Sequence, residues 1–203
     1  EGKYAKLAGE FALRNGAHDS AADLLRRALE LREAYDSSPK NEARLRQLLG
    51  AALAESGHYV EAEAQFTHSL EINQQASSGW GEAESLNLLG LLAAQRDQAE
   101  AAAKYLLRAM EVADNTQGAQ QVKLASLMAM ATLLAKAGSK VVALEYATIV
   151  MEYITFDPIT HDAAQKLIEQ IRQELPEDTV RAAIERGRQT RLRDVVRMIR
   201  EQD

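Results

Sequence analysis

The 203-residue chain contains no cysteine. Disulfide frameworks and thiolate metal sites are thereby excluded, and a reducing, cytoplasmic setting is expected. Only three prolines occur, Pro39, Pro158 and Pro176, and aromatic residues make up 5%. Few breakers and few rings, beside abundant alanine, leucine, glutamate and arginine, favour helix over sheet, because Ala and unbranched side chains lose the least entropy in a helix. Long apolar runs are also missing. The longest, LASLMAMATLLA (Leu124 to Ala135), is too short and interrupted to span a bilayer, so no membrane partner is expected. A chain-wide basic excess is absent as well: the net charge is −6, which argues against nucleic acid as a partner. The charge is uneven, however. Residues 181–203 carry seven Arg against four acids, or +3, leaving −9 on the remainder. The opening EGKYAKLAGE is neither a signal peptide nor an initiator methionine, and a fragment of a longer protein is expected.

What is present is a repeat. Gly9, Gly50 and Gly90 are spaced by 41 and 40 residues, and Ala131 follows 41 later. Seven residues after each come Gly16, Gly57, Asp97 and Gly138. Five further on stand Ala21, Ala62, Ala102 and Ala143; four more reach Leu25, Phe66, Leu106 and Ala147; three more reach Ala28, Ser69, Ala109 and Val150. Each unit reads as two apolar-periodic segments joined by a tight break. In the second unit, Leu45, Leu48, Leu49 and Leu53 precede Tyr59, Ala62, Phe66 and Leu70, both at helical spacing. Small residues at Gly50 and Ala62 let two helix axes approach closely. Gly57 permits the left-handed backbone that ends a helix sharply. Asp97 adopts that backbone only at a cost, so a different turn is expected in the third unit. One hairpin buries one face, and stacking neighbours covers the rest.

The small residue at the eighth place, glycine at the fifteenth and alanine at the twentieth resemble the tetratricopeptide pattern over about residues 4–152. The period exceeds the family's 34 residues. The surplus lies in ELREAYDSSPKNEA, EINQQASSGWGEA and EVADNTQGAQQVK, as in the long-period arrays of kinesin light chains and bacterial signalling ATPases. The resemblance implies an all-α fold: a right-handed α-α superhelix (a solenoid) of four repeats of 40–41 residues plus C-terminal capping helices. The expected hairpins cover about 4–35, 42–76, 82–115 and 123–155 within a repeat domain of residues 1–156.

Residues 157–203 form the second region, with helices expected over about 160–174, 177–187 and 191–202. Pro158 starts the first, with Thr160 as its candidate N-cap; Pro176 breaks the chain; Gly187 ends the second; Thr190 caps the third. Leu192, Val195, Val196 and Ile199 make an apolar stripe opposite Arg193, Arg197 and Arg200. This end reads as a cap over the open solenoid, or as a basic face toward phosphate or an acidic partner. The joint SSGWGEAESLNLLG and the run ITFDPITHDAAQKLIEQIRQELPEDTVRAAIERGRQTRLRDVV are similar to the tetratricopeptide tails of STAND-class signalling ATPases. That similarity implies a C-terminal sensor arm. No Gly-x-x-x-x-Gly-Lys-Ser/Thr loop occurs, so nucleotide hydrolysis by this chain is not expected.

Catalytic chemistry finds no signal. His18, His58, His68 and His161 form no His-Glu-x-x-His pair, and the carboxylate pairs Glu61/Glu63 and Glu82/Glu84 sit near helix starts, where the dipole favours acids. A non-enzyme with no catalytic residue, cofactor or metal is expected. Trp80, the only tryptophan, reads as a staple of its joint or as a stacking platform.

The tetratricopeptide resemblance places the first helix of each pair along a concave groove that holds a protein or peptide. The groove-facing positions it implies include Lys6, Glu10 and Arg14 in the first unit, Arg44 and Gln47 in the second, Asn87 and Leu91 in the third, and Met128 and Thr132 in the fourth. Asn87 lies in SLNLL, similar to the Leu-Asn-Asn-Leu of kinesin light chains, whose asparagines hold peptide backbone; Leu88 replaces the second one. KLASLMAMATLLAKA is apolar nearly all round, so Met128 and Thr132 are expected to be covered, by the C-terminal helices folding into the groove or by a partner. Two functions follow: a sensing arm of a transcription-regulating or signal-transducing ATPase, possessing that parent domain as a partner, or a stand-alone adaptor for a peptide segment.

Overall fold

The structure is a computed structural model and describes residues 2–35, 38–153 and 157–201, the side chains of 33–35 excepted. The expected ends at 155 and 202 lie outside the described residues. The helices are α1 (Gly2–Arg14), α2 (His18–Tyr35), α3 (Pro39–Glu55), α4 (Tyr59–Gln75), α5 (Gly79–Gln95) and α6 (Ala99–Asp114). There follow α7 (Gln120–Lys136), α8 (Lys140–Glu152), α9 (Pro158–Arg172), α10 (Glu177–Gln189) and α11 (Val195–Arg200), the last entered through a 3₁₀ turn at Leu192–Asp194. No strand occurs among the described residues.

Helices pair as α1/α2, α3/α4, α5/α6 and α7/α8, and each second helix packs on the next first helix. First helices also meet from unit to unit, α3 with α5 and α5 with α7, whereas second helices do not approach each other so closely. The stack therefore bends with the first helices inside. Ala21, Ala62, Ala102 and Ala143 are all fully buried where each pair crosses. The eighth-place glycines show why the column exists. A Cβ on Gly9 would come within 2.8 Å of Leu25, on Gly50 within 2.5 Å of Phe66, and on Gly90 within 2.7 Å of Leu106. These are clashes with buried side chains that have little room to move.

The turns inside the four hairpins all close in one way, which corrects the expectation for Asp97. Ala17, His58, Gln98 and Ser139 donate their N–H to the carbonyls of Ala12, Leu53, Ala93 and Leu134, at 2.8–2.9 Å. This is the Schellman closure of a helix C-terminus. Gly16, Gly57 and Gly138 hold φ of +74°, +81° and +88°, and Asp97 takes +56° in the same role. The helix-end hydrogen bonds outweigh the strain of one aspartate, which tolerates the left-handed region better than most residues.

Several boundaries differ from expectation. First helices begin two or three residues earlier than the apolar pattern indicates, with Pro39 at the first helical position of α3. Asp157, not Thr160, caps α9: its Oδ1 accepts the Ile159 N–H at 3.1 Å, and Thr160 instead donates its hydroxyl to Oδ2 at 2.5 Å. Gly187 does not end α10. It lies inside the helix, where a Cβ would come within 2.7 Å of Thr148 on α8. Thr190 is the C-cap of α10 rather than the start of a third helix.

The C-terminal helices do not fold into the groove. α9 packs on α8 and α7, α10 packs on α8, and α11 meets α6. Ile171, Val180, Leu192 and Val195 join the same core as Leu127, Leu144 and Ile149. Arginines of this end reach acids of the second helices: Arg186 bonds Glu145 at 2.6 Å, Arg188 bonds Glu152 at 3.2 Å, and Arg200 bonds Glu111. The end of the stack is thus covered, and part of its positive charge is neutralised against the array.

Candidate functional site

The inner layer holds the residues implied for the groove, in three different conditions. On α1, Lys6 and Glu10 are half-buried and Arg14 is exposed. Leu91 is 40% exposed, and Thr132 is exposed with its hydroxyl donating to the Met128 carbonyl at 3.0 Å. The rest are engaged between helices. Met128 is buried in the core. Asn87 is 8% exposed, and its Oδ1 accepts the Ser126 Oγ–H at 2.9 Å, tying α5 to α7. Thr132 is covered by no C-terminal helix, so the internal lid is not formed.

The α3–α5 joint is built differently. Arg44 donates to Glu84 Oε1 at 3.0 Å and to Gln47 Oε1 at 3.4 Å. Gln47, buried at 3% exposure, passes a hydrogen bond from Nε2 to Ser85 Oγ at 3.1 Å. Ser85 in turn donates to the Gly81 carbonyl at 2.9 Å and lies 3.0 Å from Ser69 Oγ. Ser69 donates to the Ala43 carbonyl at 3.0 Å, and Asn73 Nδ2 donates to the Ser69 carbonyl at 2.9 Å. A buried polar chain therefore links α3, α4 and α5, and each bond in it is strengthened by its low-dielectric surroundings.

Above this chain opens a cavity of about 430 Å³, lined by Lys40, Asn41, Arg44, Gln47, Asn73 and Trp80, with Ala43, Ser78 and Gly81. Trp80 is the second residue of α5. It stands 41% exposed at the rim. Beside it the start of α5 approaches two neighbours closely, Gly79 at Thr116 after α6 and Gly81 at Asn73 on α4, where any Cβ would collide. An indole face, two cations and a polar floor can together receive an apolar side chain beside an acidic or carbonyl group. Glu84 Oε2 is buried with no hydrogen-bond partner. Burial pushes the Glu84 carboxyl above its ordinary range, against the opposing charge and hydrogen bond of Arg44.

Lys40, Asn73 and Ser85 are absent from the residues implied by family resemblance. A signal for the buried chain existed at Ser69. Ser69 stands in a column otherwise filled by Ala28, Ala109 and Val150; the column of Asn73 is mixed, with Arg32, Ala113 and Ile154. A polar residue in an apolar column needs a partner, and Ser69 found Ser85 and Asn73. Among the described residues, no three His, Asp or Glu side chains group to hold a metal, and no helix is long and apolar enough to cross a membrane.

Comparisons agree with the architecture. Residues 4–75 match the model of the tetratricopeptide repeat family. The chain is 44% identical over 93 residues to TPR repeat-containing protein PA4299 of Pseudomonas aeruginosa. The match takes in 46% of this chain but only 33% of that protein's length. The crystal structure of the apo form of RapI superposes with a TM-score of 0.63 at 16% identity, covering 85% of this chain and 69% of the other. The fold is thus a tetratricopeptide solenoid, an all-α superhelix whose first two helical pairs carry the family's sequence pattern.

Proposed function

We propose that the chain is a non-enzymatic scaffold that binds a protein or peptide segment along its inner layer. The observation that carries this reading is the cavity between α3 and α5, with exposed Trp80 and Arg44 over a floor of buried polar groups. The ligand lies in extended form across the first helices. Its apolar side chain rests on Trp80, and a carboxylate reaches Arg44 and Lys40. Lys6, Glu10 and Arg14 extend the site toward α1, and Leu91 and Thr132 extend it toward α7. Gln47, Asn87 and Met128 shape the groove from beneath. The finer reading is the ligand-sensing arm of a cytoplasmic bacterial signal-transduction ATPase, supported by the SSGWGEAESLNLLG joint and the C-terminal run. Ligand binding would shift a closed-to-open equilibrium of that parent protein. The second reading, a stand-alone adaptor, rests on the same groove.

The test uses Trp80, the only tryptophan, as its reporter. A random dodecapeptide library is panned on the chain, and enriched peptides are titrated by Trp80 emission and by calorimetry. Arg44→Ala and Trp80→Ala are each expected to weaken calorimetric binding about tenfold, as anchors in a partly desolvated pocket do. No enrichment, or full affinity in both variants, would remove the site. A phosphate-binding Gly-x-x-x-x-Gly-Lys-Ser/Thr loop in the parent reading frame separates the sensing arm from the adaptor.

A further inference from the structure

The joint between α6 and α7 reverses a charge. Glu42 and Glu82 fall in one repeat column, and the fourth unit places Lys123 there. Glu42 bonds Arg32 and Arg46, at 2.9 and 2.7 Å, and Glu82 accepts from Gln74 at 3.3 Å. Asp114 stands in the column of Gln74 and pairs with Lys123. Lys123 is 3% exposed, a burial that an ammonium tolerates only with partners. Asp114 occupies one of its three N–H donors. The reversal falls in the unit against which the C-terminal helices pack. There the chain leaves α10 and passes beside the joint. The Tyr153 hydroxyl oxygen accepts the Leu192 N–H at 2.9 Å, and Leu192 is buried, so this stretch is pinned against the end of α8. Arg191 and Arg193 flank the pinned residue.

Asp114, Lys123, Tyr153, Arg191, Leu192 and Arg193 share the wall of a cavity of about 450 Å³, which has no lining residue in common with the cavity between α3 and α5. Its charged lining is three cations against one acid. Other arginines of this end are matched by acids of the array: Arg186 by Glu145, Arg188 by Glu152, Arg200 by Glu111. Arg191 is not. Among the described residues its guanidinium makes no hydrogen bond or ion pair. Arg193 reaches Asp194 only at 4.0 Å. Unspent guanidinium donors beside a buried ammonium suit an anion, and two forks with an ammonium match the three terminal oxygens of a phosphate monoester better than the two of a carboxylate. The cavity is larger than a phosphate group and falls within the about 300–1,000 Å³ of small-molecule sites. Tyr153 and Leu192 supply the less polar part of its wall. We propose that this cavity binds a small phosphorylated molecule, its phosphate held by Arg191, Arg193 and Lys123. Lys123 belongs to α7 and the two arginines to the segment after α10, so the ligand ties the C-terminal helices to the fourth unit. This site is independent of the peptide groove.

Calorimetric titration of the 203-residue chain tests this, with glycerol phosphate and phenyl phosphate as probes and glycerol and malonate as controls. At least one of the two phosphate esters is expected to bind at least about tenfold more tightly than malonate, whose charges sit on carboxylates. Glycerol is expected not to bind. The bound ester is expected to raise the melting temperature and to slow hydrogen exchange over residues 191–195. Arg191→Gln is expected to weaken the ester at least about tenfold, and to leave the melting temperature of the ligand-free chain unchanged because that guanidinium supports no other contact. Arg193→Gln is expected to weaken it in the same direction. Failure of both esters to bind overturns the proposal. Malonate at equal affinity marks a general positive patch and overturns it too. Full affinity in Arg191→Gln places the ligand elsewhere, with the same result.

Discussion

In the first three hairpins a glycine stands opposite a bulky side chain: Gly9 against Leu25, Gly50 against Phe66, Gly90 against Leu106. In the fourth, the same two columns hold Ala131 and Ala147, both fully buried. The small member lost its asymmetry and the large member shrank with it. Two alanines fill less space than glycine with leucine or phenylalanine, so the columns preserve no fixed volume; they follow a rule in which a larger residue in the first is met by a smaller one in the second. Inspection of one column alone reads Ala131 as a degenerate glycine; inspection of both reads it as half of a compensated pair.

That comparison breaks or holds under a double-mutant cycle in the second hairpin. Phe66→Ala is expected to cost about 3–5 kcal/mol, through lost burial and the cavity left behind. Gly50→Ala alone is expected to cost about 1–3 kcal/mol, because its Cβ meets a buried ring. In the Phe66→Ala background the same Gly50→Ala change is expected to be neutral or stabilising, since it enters vacated space and favours helix. Urea denaturation of the four proteins gives the coupling. Additivity within about 0.5 kcal/mol would mean that the two columns are independent.

A second contrast lies between joints. The α6–α7 joint is closed by the apolar Ala83, Ala113, Ala119 and Val122 and by one ion pair, buried Lys123 to Asp114. The α4–α5 joint is closed through Ser69, Asn73 and Ser85. Ser85 and Ser126 occupy one column, but Ser85 meets Gln47, Ser69, Asn73 and the Gly81 carbonyl, whereas Ser126 donates to Asn87. Ser85→Ala is therefore expected to cost about 1–3 kcal/mol, as it strands buried donors, and Ser126→Ala about 1 kcal/mol. Thermal melts of both variants check the order. Equal losses would mean that the chain of bonds across α3, α4 and α5 adds nothing beyond single pairs.

The repeat, its period and its buried alanines were legible because they depend on residues a fixed distance apart, and close packing enforces them in every unit. Asp97 misled because a helix-end motif of two backbone hydrogen bonds tolerates a residue that favours it less. Gly187 misled because glycine serves two ends, a left-handed turn or a close approach, and only the neighbour Thr148 decides between them. Thr160 lost its cap to Asp157 because a carboxylate three residues ahead can accept both the helix N–H and the threonine hydroxyl. Asn87 kept its place on the inner layer, but Ser126, 39 residues away, occupies its oxygen. Gln47 and Asn87 share one column and Ser85 and Ser126 another, so this pairing recurs from unit to unit; what spacing alone did not give is that the two columns face each other across neighbouring first helices.

The smallest expected effect separates two glutamates. Glu84 bonds one arginine, and burial pushes its carboxyl above the ordinary range despite Arg44. Glu111 is also raised by burial, but hydrogen bonds and charges from Arg108 and Arg200 overcome this and hold it below that range. The two contribute to stability with opposite sign. A raised folded-state value favours the protonated form, so the contribution of Glu84 is fully present below the unfolded value near 4.5 and is lost as pH rises through the folded one. A lowered value acts in reverse: the contribution of Glu111 is present above 4.5 and is lost as pH falls through the folded value. Glu84→Gln is thus expected to stabilise at pH 7, on the order of 0.5 kcal/mol, and to match the parent protein in acid. Glu111→Gln is expected to destabilise at pH 7 by about 0.5 kcal/mol, since both its arginines are well exposed, and its deficit closes in acid too. Melting curves from pH 3 to pH 8 would show the two differences with opposite signs, converging at the acid end; a Glu84→Gln protein less stable at neutral pH would mean that the Arg44 pair outweighs the buried, unpartnered oxygen.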